Sequence, residues 1–225
     1  MVTGLKHELL QRMLAGDRKS ATELVEGWAN VHGYDRAVRE ILMPTLELFG
    51  KKWATSEDLS LAQGYIAGKV AEDVMERATS AQTSWPSARE SKGPVVIGNI
   101  EDDCHSLGRK LVAIFLRTAG WQVYDLGNDV LPVEFVGKAV EVGAPVVAAS
   151  AMMYTTAMNI KKLREEIDRR GLTGKMQLAV GGAVFVQRPT LVKEVGGDGT
   201  GRNAIGALKL MTRLRDRAIS EEGAR

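Results

Sequence analysis

Apolar residues in the first eighty positions recur at helical spacing, and no stretch there alternates as a half-buried strand would. Leu5, Leu9, Leu10, Met13 and Leu14 form one stripe, closed by Gly16 and Asp17. Ala21, Leu24, Val25 and Trp28 form a second, which stops near Gly33. A third helix is expected over about 35–53, bent at Pro44, and a fourth from near Ser56 that carries Leu59, Leu61, Ile66, Val70, Val74 and Met75. Four helices with short connections predict an antiparallel bundle. Residues 80–93 are polar, with little periodicity, and read as a linker.

From Pro94 the pattern becomes short apolar runs separated by amphipathic ones. Strands are expected at 95–100, 122–125, 146–149 and 177–180, with a short fifth near 197–199. Helices are expected near 108–119, 133–142, 158–170 and 189–195, and a last one over 203–217. Apolar strands alternating with helices imply a parallel sheet covered on both faces. The fold class is therefore an N-terminal all-α four-helix bundle followed by a C-terminal α/β Rossmann-like domain of flavodoxin type with five parallel strands. The boundaries are 1–80, a linker at 81–93, and 94–225.

Composition narrows the function classes. Two hundred and twenty-five residues can bury a real core as one large domain or two small ones. A net charge of +2 gives no electrostatic argument for a nucleic-acid partner. No apolar run spans a bilayer, and Lys6, His7, Glu8, Gln11 and Arg12 interrupt any signal-peptide core. The single cysteine, Cys104, excludes an intrachain disulfide and suits a reducing cytoplasm. A cytoplasmic protein with no membrane or nucleic-acid partner is expected.

The chemistry gathers at strand ends. After the first strand the chain reads Asp103-Cys104-His105-Ser106-Leu107-Gly108, and the apolar run 111–116 continues as a helix. Open α/β sheets bind ligands at the carboxyl ends of their strands. A carboxylate two residues before a histidine can hold one imidazole nitrogen and aim the other at a metal. Ser150-Ala151-Met152 follows the third strand and Gly181-Gly182 the fourth.

Asp-x-His-x-x-Gly, with those two later matches in order, resembles the signature of cobalamin-binding domains that replace the cofactor's lower base with a protein histidine. The whole chain resembles the corrinoid proteins of bacterial and archaeal methyltransferase systems and the cobalamin module of methionine synthase. Asp125-Leu126-Gly127 through Val136 is similar to that family's second strand and following helix, and Gly197-Asp198-Gly199 with Arg202-Asn203-Ala204 to its fifth strand and last helix. The resemblance implies that the bundle caps the upper face of the corrin while the α/β domain holds the lower face. It implies cobalamin as cofactor, in the form of methylcobalamin or hydroxocobalamin.

By the same resemblance His105 is the lower axial cobalt ligand, Asp103 bonds its other nitrogen, and Thr156 completes the relay with a hydroxyl. Ser106, Leu107, Gly108, Ser150, Met152, Gly181, Gly182 and Gly199 would line the corrin and its displaced dimethylbenzimidazole tail. Gly108 and the glycine pair would allow close backbone approach, since a Cβ there would occupy the slot. Gly50-Lys51-Lys52-Trp53 resembles the segment that shields the upper ligand, which places Trp53, Leu59 and Gln63 on the reactive side. The linker then serves as a hinge for cap movement. Met152 stands where the family has leucine, and Tyr154 where small hydroxyl residues are common.

The function so implied is a corrinoid methyl carrier that binds cobalamin base-off and His-on. It would pass methyl groups between a substrate-specific methyltransferase and a methyl-acceptor methyltransferase, with a reductive activase as a further partner. The chain is then a subunit of a methyltransferase system whose substrate-specific catalysis lies in its partners. A cobalamin-dependent sensor or regulatory adaptor without methyl transfer is the alternative, and a storage or delivery protein a third. Light-sensing cobalamin regulators carry a Glu-His pair ten residues after the tryptophan, where this chain has Gln63-Gly64.

Plainer readings stand beside these. His105 could simply cap a helix, the glycine pair could be an ordinary turn, and Trp28 and Trp53 could be bundle core. His7 and His32 read as helix-surface residues, Glu101 and Asp102 as solvated or near the cofactor's rim, and the charges at 161–170 as a solvated helix face. Cys104 is assigned no catalytic role.

Overall fold

In the computed structural model, which describes residues 2–55, 59–80 and 91–223, the chain divides into two units, Met1–Glu90 and Ser91–Arg225. The helical stripes of the first unit become α1 (Val2–Leu14), α2 (Arg18–His32), α3 (Tyr34–Arg36), α4 (Met43–Thr55) and α5 (Leu61–Ser80). A π-helical segment, Ala37–Leu42, joins α3 to α4. The expected helix start at Ser56 and most of the expected linker fall on residues 56–58 and 81–90, outside the described residues.

Local chemistry explains the breaks. Asp17 caps α2, its carboxylate accepting from Ser20 N at 3.1 Å. Gly33 closes α2 with a φ of 86° that suits glycine. Pro44 has no N–H, and its ring crowds the carbonyl four residues back. The chain accommodates it with a wider turn just before, in which Met43 N donates to Val38 O, five residues earlier. The bend expected at Pro44 thus takes the form of a π segment.

Leu9, Met13, Val25, Leu42, Phe49, Val70 and Val74 are fully buried and make the core of this unit. Arg18 grips Asp73 with two nitrogens, at 2.7 and 2.6 Å, tying α2 to α5. His32 departs from the surface reading. It is half-buried and stacks on Trp28 at 4.1 Å between ring centroids, because a position four residues on lies directly above on the same helix face.

The second unit alternates β1 (Pro94–Asn99), α6 (Ser106–Thr118), β2 (Gln122–Asp125), α7 (Pro132–Val142), β3 (Val146–Ser150), α8 (Tyr154–Met158) and α9 (Ile160–Arg169). It continues with β4 (Gln177–Gly181), α10 (Ala183–Gln187), α11 (Leu191–Glu194), β5 (Gly199–Thr200) and α12 (Ala204–Gly223). The strands are all parallel, in the order β2-β1-β3-β4-β5. Alternation along β1 sends Val95 and Ile97 to one face, against Leu116 of α6 and Leu210 and Leu214 of α12. Val96 faces the other way, in the core that holds Phe135 of α7 and Ile160 and Leu163. Gly98 leaves room on that second face, since a Cβ there would lie 2.7 Å from the Phe135 ring.

Four features of this unit differ most from the sequence expectation, the last helix running to Gly223 rather than 217 among them. The helix after β3 starts at Tyr154 rather than 158 and breaks at Asn159. A short helix, α10, follows the glycine pair directly. The fifth strand begins at Gly199 because Asp198 is engaged beside it, accepting from Leu178 N at 2.6 Å and from Arg164 at 2.6 Å.

Candidate functional site

The order of the strands locates the site. β1 leads to β2 on one side and is flanked by β3 on the other, so the loops after β1 and β3 diverge and leave a crevice. Asn99 at the end of β1 pairs with Ser150 at the end of β3, which in turn pairs with Gly181 of β4. The Asp103–Gly108 loop, the Ser150–Met152 turn and the glycine pair therefore meet at one edge of the sheet.

Asp103 is the anchor. It is fully buried and both carboxylate oxygens are occupied. Oδ1 accepts from Asn99 Nδ2 at 2.7 Å and His105 N at 2.9 Å, and Oδ2 from Met152 N at 2.7 Å and Thr156 Oγ1 at 3.0 Å. Burial pushes its carboxyl up. The bonds from Met152, His105, Asn99 and Thr156 more than offset this and hold it below the usual carboxylate range. One buried charge thus ties β1, the β3 turn and the start of α8 together.

His105 is exposed, with Nδ1 3.5 Å from Asp103 Oδ1, close to the carboxylate but too long for a strong hydrogen bond. The Thr156 hydroxyl has one proton and two acceptors in reach, Asp103 and Met153 O at 3.1 Å. The sequence motif thus becomes a three-residue array. Met152 contributes through its backbone N–H, a bond that does not depend on its side chain.

A second array was not legible in the sequence. Asn99, fully buried, also donates to His105 O at 3.2 Å and accepts from Arg109 Nε at 2.7 Å. Arg109, 6% exposed, pairs with Asp125 at the end of β2 and donates to Asn128 Oδ1 at 3.1 Å. The available signal was spacing: Arg109 lies four residues after His105, on the first turns of the same helix. Glu101 and Asp102 also have structural partners. Glu101 pairs with Lys162 at 2.8 Å, and Asp102 Oδ2 accepts from Asn159 at 3.2 Å. Asp102 has a φ of 68°, and its N–H is held by Asp129 Oδ1 at 2.8 Å.

Around this polar centre lies an apolar rim. Leu107, Leu131, Val133, Met152, Met153, Tyr154 and Val186 are all exposed, and each follows the carboxyl end of a strand. Exposed apolar groups gathered at one edge mark a binding surface. Tyr154 carries Arg188 over its ring at 4.9 Å and donates to Glu194 at 3.2 Å.

The glycines separate into two kinds. A Cβ on Gly108 or Gly181 would meet no atom within 4 Å, so these backbones face open space. A Cβ on Gly182 would lie 1.9 Å from Ala151 O, and its φ is 114°. A Cβ on Gly199 would lie 2.6 Å from Leu210, so α12 packing accounts for that glycine. Ser106 sits in the first turn of α6, half-buried.

The helical unit holds the other expected residues. Trp53 is half-buried, edge-on to Phe49 at 5.7 Å, and its ring lies where a Cβ on Gly64 would be. Gln63 Oε1 accepts from Ser60 N at 2.9 Å, and its amide donates to Leu14 O at 2.8 Å, tying the start of α5 to the end of α1. Leu59 is half-buried. The Gln63-Gly64 pair thus has packing work to do in this unit.

These residues suit a large flat corrin. A single exposed imidazole fits a metal whose other ligands come from its own macrocycle, and among the described residues no cluster of three His, Cys, Asp or Glu could hold a bare ion. The apolar rim suits the ring, and the space at Gly108 and Gly181 suits an appended tail.

Comparisons with known proteins point the same way. The B12 binding domain model matches residues 93–209, and a second model, also described as a B12 binding domain, matches residues 5–79. A corrinoid protein of Desulfitobacterium hafniense strain Y51 is 30% identical over 217 residues, 95% of this chain and 99% of that protein. Trimethylamine corrinoid protein 1 of Methanosarcina mazei is 43% identical over 101 residues, 45% of this chain and 47% of that protein. A cobalamin-binding protein from Desulfitobacterium hafniense DCB-2 has the same fold, with a TM-score of 0.72 at 19% identity over 93% of this chain and 98% of that one. So does the methanol:cobalamin methyltransferase complex MtaBC of Methanosarcina barkeri, with a TM-score of 0.67 at 20% identity over 95% of this chain and 80% of the matched one.

Proposed function

Because this chain belongs to the corrinoid proteins built on the B12 binding domain, we propose that it holds cobalamin through His105 and carries a methyl group between partner methyltransferases. The observation that carries the reading is an exposed imidazole beside a fully buried carboxylate at the switch point of the sheet. Bound cobalamin supplies a cobalt centre able to accept and return a methyl group. The rest is the work of the chain's own residues.

His105 would present one nitrogen to the cobalt, with Nδ1 on the Asp103 side. Asp103, held ionised, favours that proton on Nδ1 and so keeps the other nitrogen free as a ligand. Thr156 fixes the far oxygen of the carboxylate. Leu107, Met152 and Tyr154 would exclude water around the bound group, while Ser150 and Gly181 would leave room for its tail. A methylamine is the proposed source of the methyl group, supported by the similarity to the trimethylamine corrinoid proteins of Methanosarcina.

Absorption spectra of protein reconstituted with hydroxocobalamin, wild type beside His105→Ala, test the assignment. The wild type is expected to show the base-off, histidine-ligated form. The variant should lose it and bind about 100-fold more weakly, the upper end of what disturbing a metal's ligand environment costs. Identical spectra would overturn the assignment. Carrier function is read by reducing the loaded protein anaerobically and supplying isotope-labelled trimethylamine with its methyltransferase. Labelled methyl retained by the protein is expected, and none retained with any methylamine or methanol system would leave a sensor as the better account.

A further inference from the structure

Asp103 Oδ1 faces more donors than it can serve well. Asn99 Nδ2 at 2.7 Å and His105 N at 2.9 Å already occupy it, and the imidazole Nδ1 stands off at 3.5 Å. The Asn99 amide is not free to turn over. Arg109 Nε donates to its oxygen at 2.7 Å, so the NH₂ end must point to Asp103. Arg109 is itself pinned by Asp125 and Asn128. Both Asn99 and Arg109 are buried, which shields these bonds from competing water.

We propose that Asn99, oriented by Arg109, is a positioning residue that competes with the His105 imidazole for Asp103 and so limits how strongly His105 binds cobalt. The proposal rests on the reading of His105 as the cobalt ligand. A carboxylate oxygen shared among more donors is a weaker acceptor for each. An imidazole with a weaker acceptor behind it is a poorer metal ligand. Asp103 does not need Asn99 to stay in place. Met152 N, Thr156 and His105 N still hold it, so removing the amide frees a lone pair without releasing the carboxylate.

The test is a double-mutant cycle on hydroxocobalamin affinity, read by absorbance titration of Asn99→Ala in the wild-type and His105→Ala backgrounds. With His105 present, Asn99→Ala is expected to tighten binding about fivefold, the order of one ordinary hydrogen bond. In the His105→Ala background the effect should vanish. Arg109→Lys, which can still pair with Asp125 but has no Nε to pin the amide, should move the affinity the same way by less, and it serves if Asn99→Ala does not fold. Equal weakening in both backgrounds would show Asn99 to be structural only and overturn the proposal, as would no change in either. If His105→Ala alone leaves affinity untouched, the ligand reading fails and this proposal with it.

Discussion

Asp103→Ala is expected to destabilise the α/β unit by about 4 kcal/mol, measured on the cofactor-free protein as a fall in urea midpoint at unchanged slope. The substitution removes the shared acceptor of four donors, Asn99 Nδ2, His105 N, Met152 N and Thr156 Oγ1, in a place closed to bulk water. Each donor left unpaired costs on the order of 1–3 kcal/mol, and relaxation recovers part of the sum. Asp103→Asn keeps the shape but sets an NH₂ group against at least one donor, so it should fall between wild type and alanine. A loss below about 0.5 kcal/mol for Asp103→Ala would mean the array is not the tie described, since that is the range of ordinary surface changes.

The same carboxylate predicts a pH dependence. Its folded pKa lies below its ordinary value of 3.8, so the unfolded chain binds the proton more readily. Its contribution to stability is therefore fully present above that ordinary value and is lost as pH falls through the lowered folded pKa. Asp103→Ala should flatten this acid limb, which a series of urea midpoints at descending pH would show.

Gly182→Ala and Gly181→Ala should separate fold from function. At Gly182 the new methyl would meet Ala151 O at 1.9 Å on a backbone whose φ of 114° already disfavours a side chain. A loss of about 4 kcal/mol or more is expected, with the turn after β3 disrupted. At Gly181 the methyl would meet nothing within 4 Å, so the melting temperature should hardly move. If the tail of the cofactor occupies that space, Gly181→Ala will nonetheless weaken hydroxocobalamin binding, by about tenfold or more, the effect of a misfitted methyl on a close contact. Undiminished affinity in a folded Gly181→Ala would remove this glycine from the slot.

Much of the fold was legible along the chain. Strand and helix alternation after Pro94 is a matter of local periodicity, and all five strands lie within two residues of their expected places. The misses have local causes of their own. The π segment before Pro44 arises because a proline can be answered by widening the preceding turn as well as by a bend. Helix α10 is too short to leave a periodic trace. His32 took its partner, Trp28, from its own helix, an i to i+4 contact that the stripe of apolar positions does not register.

The candidate site divides in the same way. Asp103, His105, Gly108, Ser150, Gly181 and Gly182 stand out in the sequence because they form ordered matches of recognisable type and spacing at strand ends. The order of the strands is a different matter. It depends on which faces find partners in three dimensions, and only it brings β1 beside β3 and closes Thr156 onto Asp103 across fifty-three residues. Asn99, Arg109, Asp125 and Asn128 belong to no periodic pattern, and their role exists only once β1, β2 and α6 are packed. Nor could spacing tell that Gly182 is required by Ala151 while Gly181 faces open space. The sequence by itself determined the elements and the residues that carry chemistry, because propensity and motif spacing act locally. The tertiary structure decided which of those residues share a proton acceptor, because which donors reach one oxygen, and from which direction, is set by packing in three dimensions.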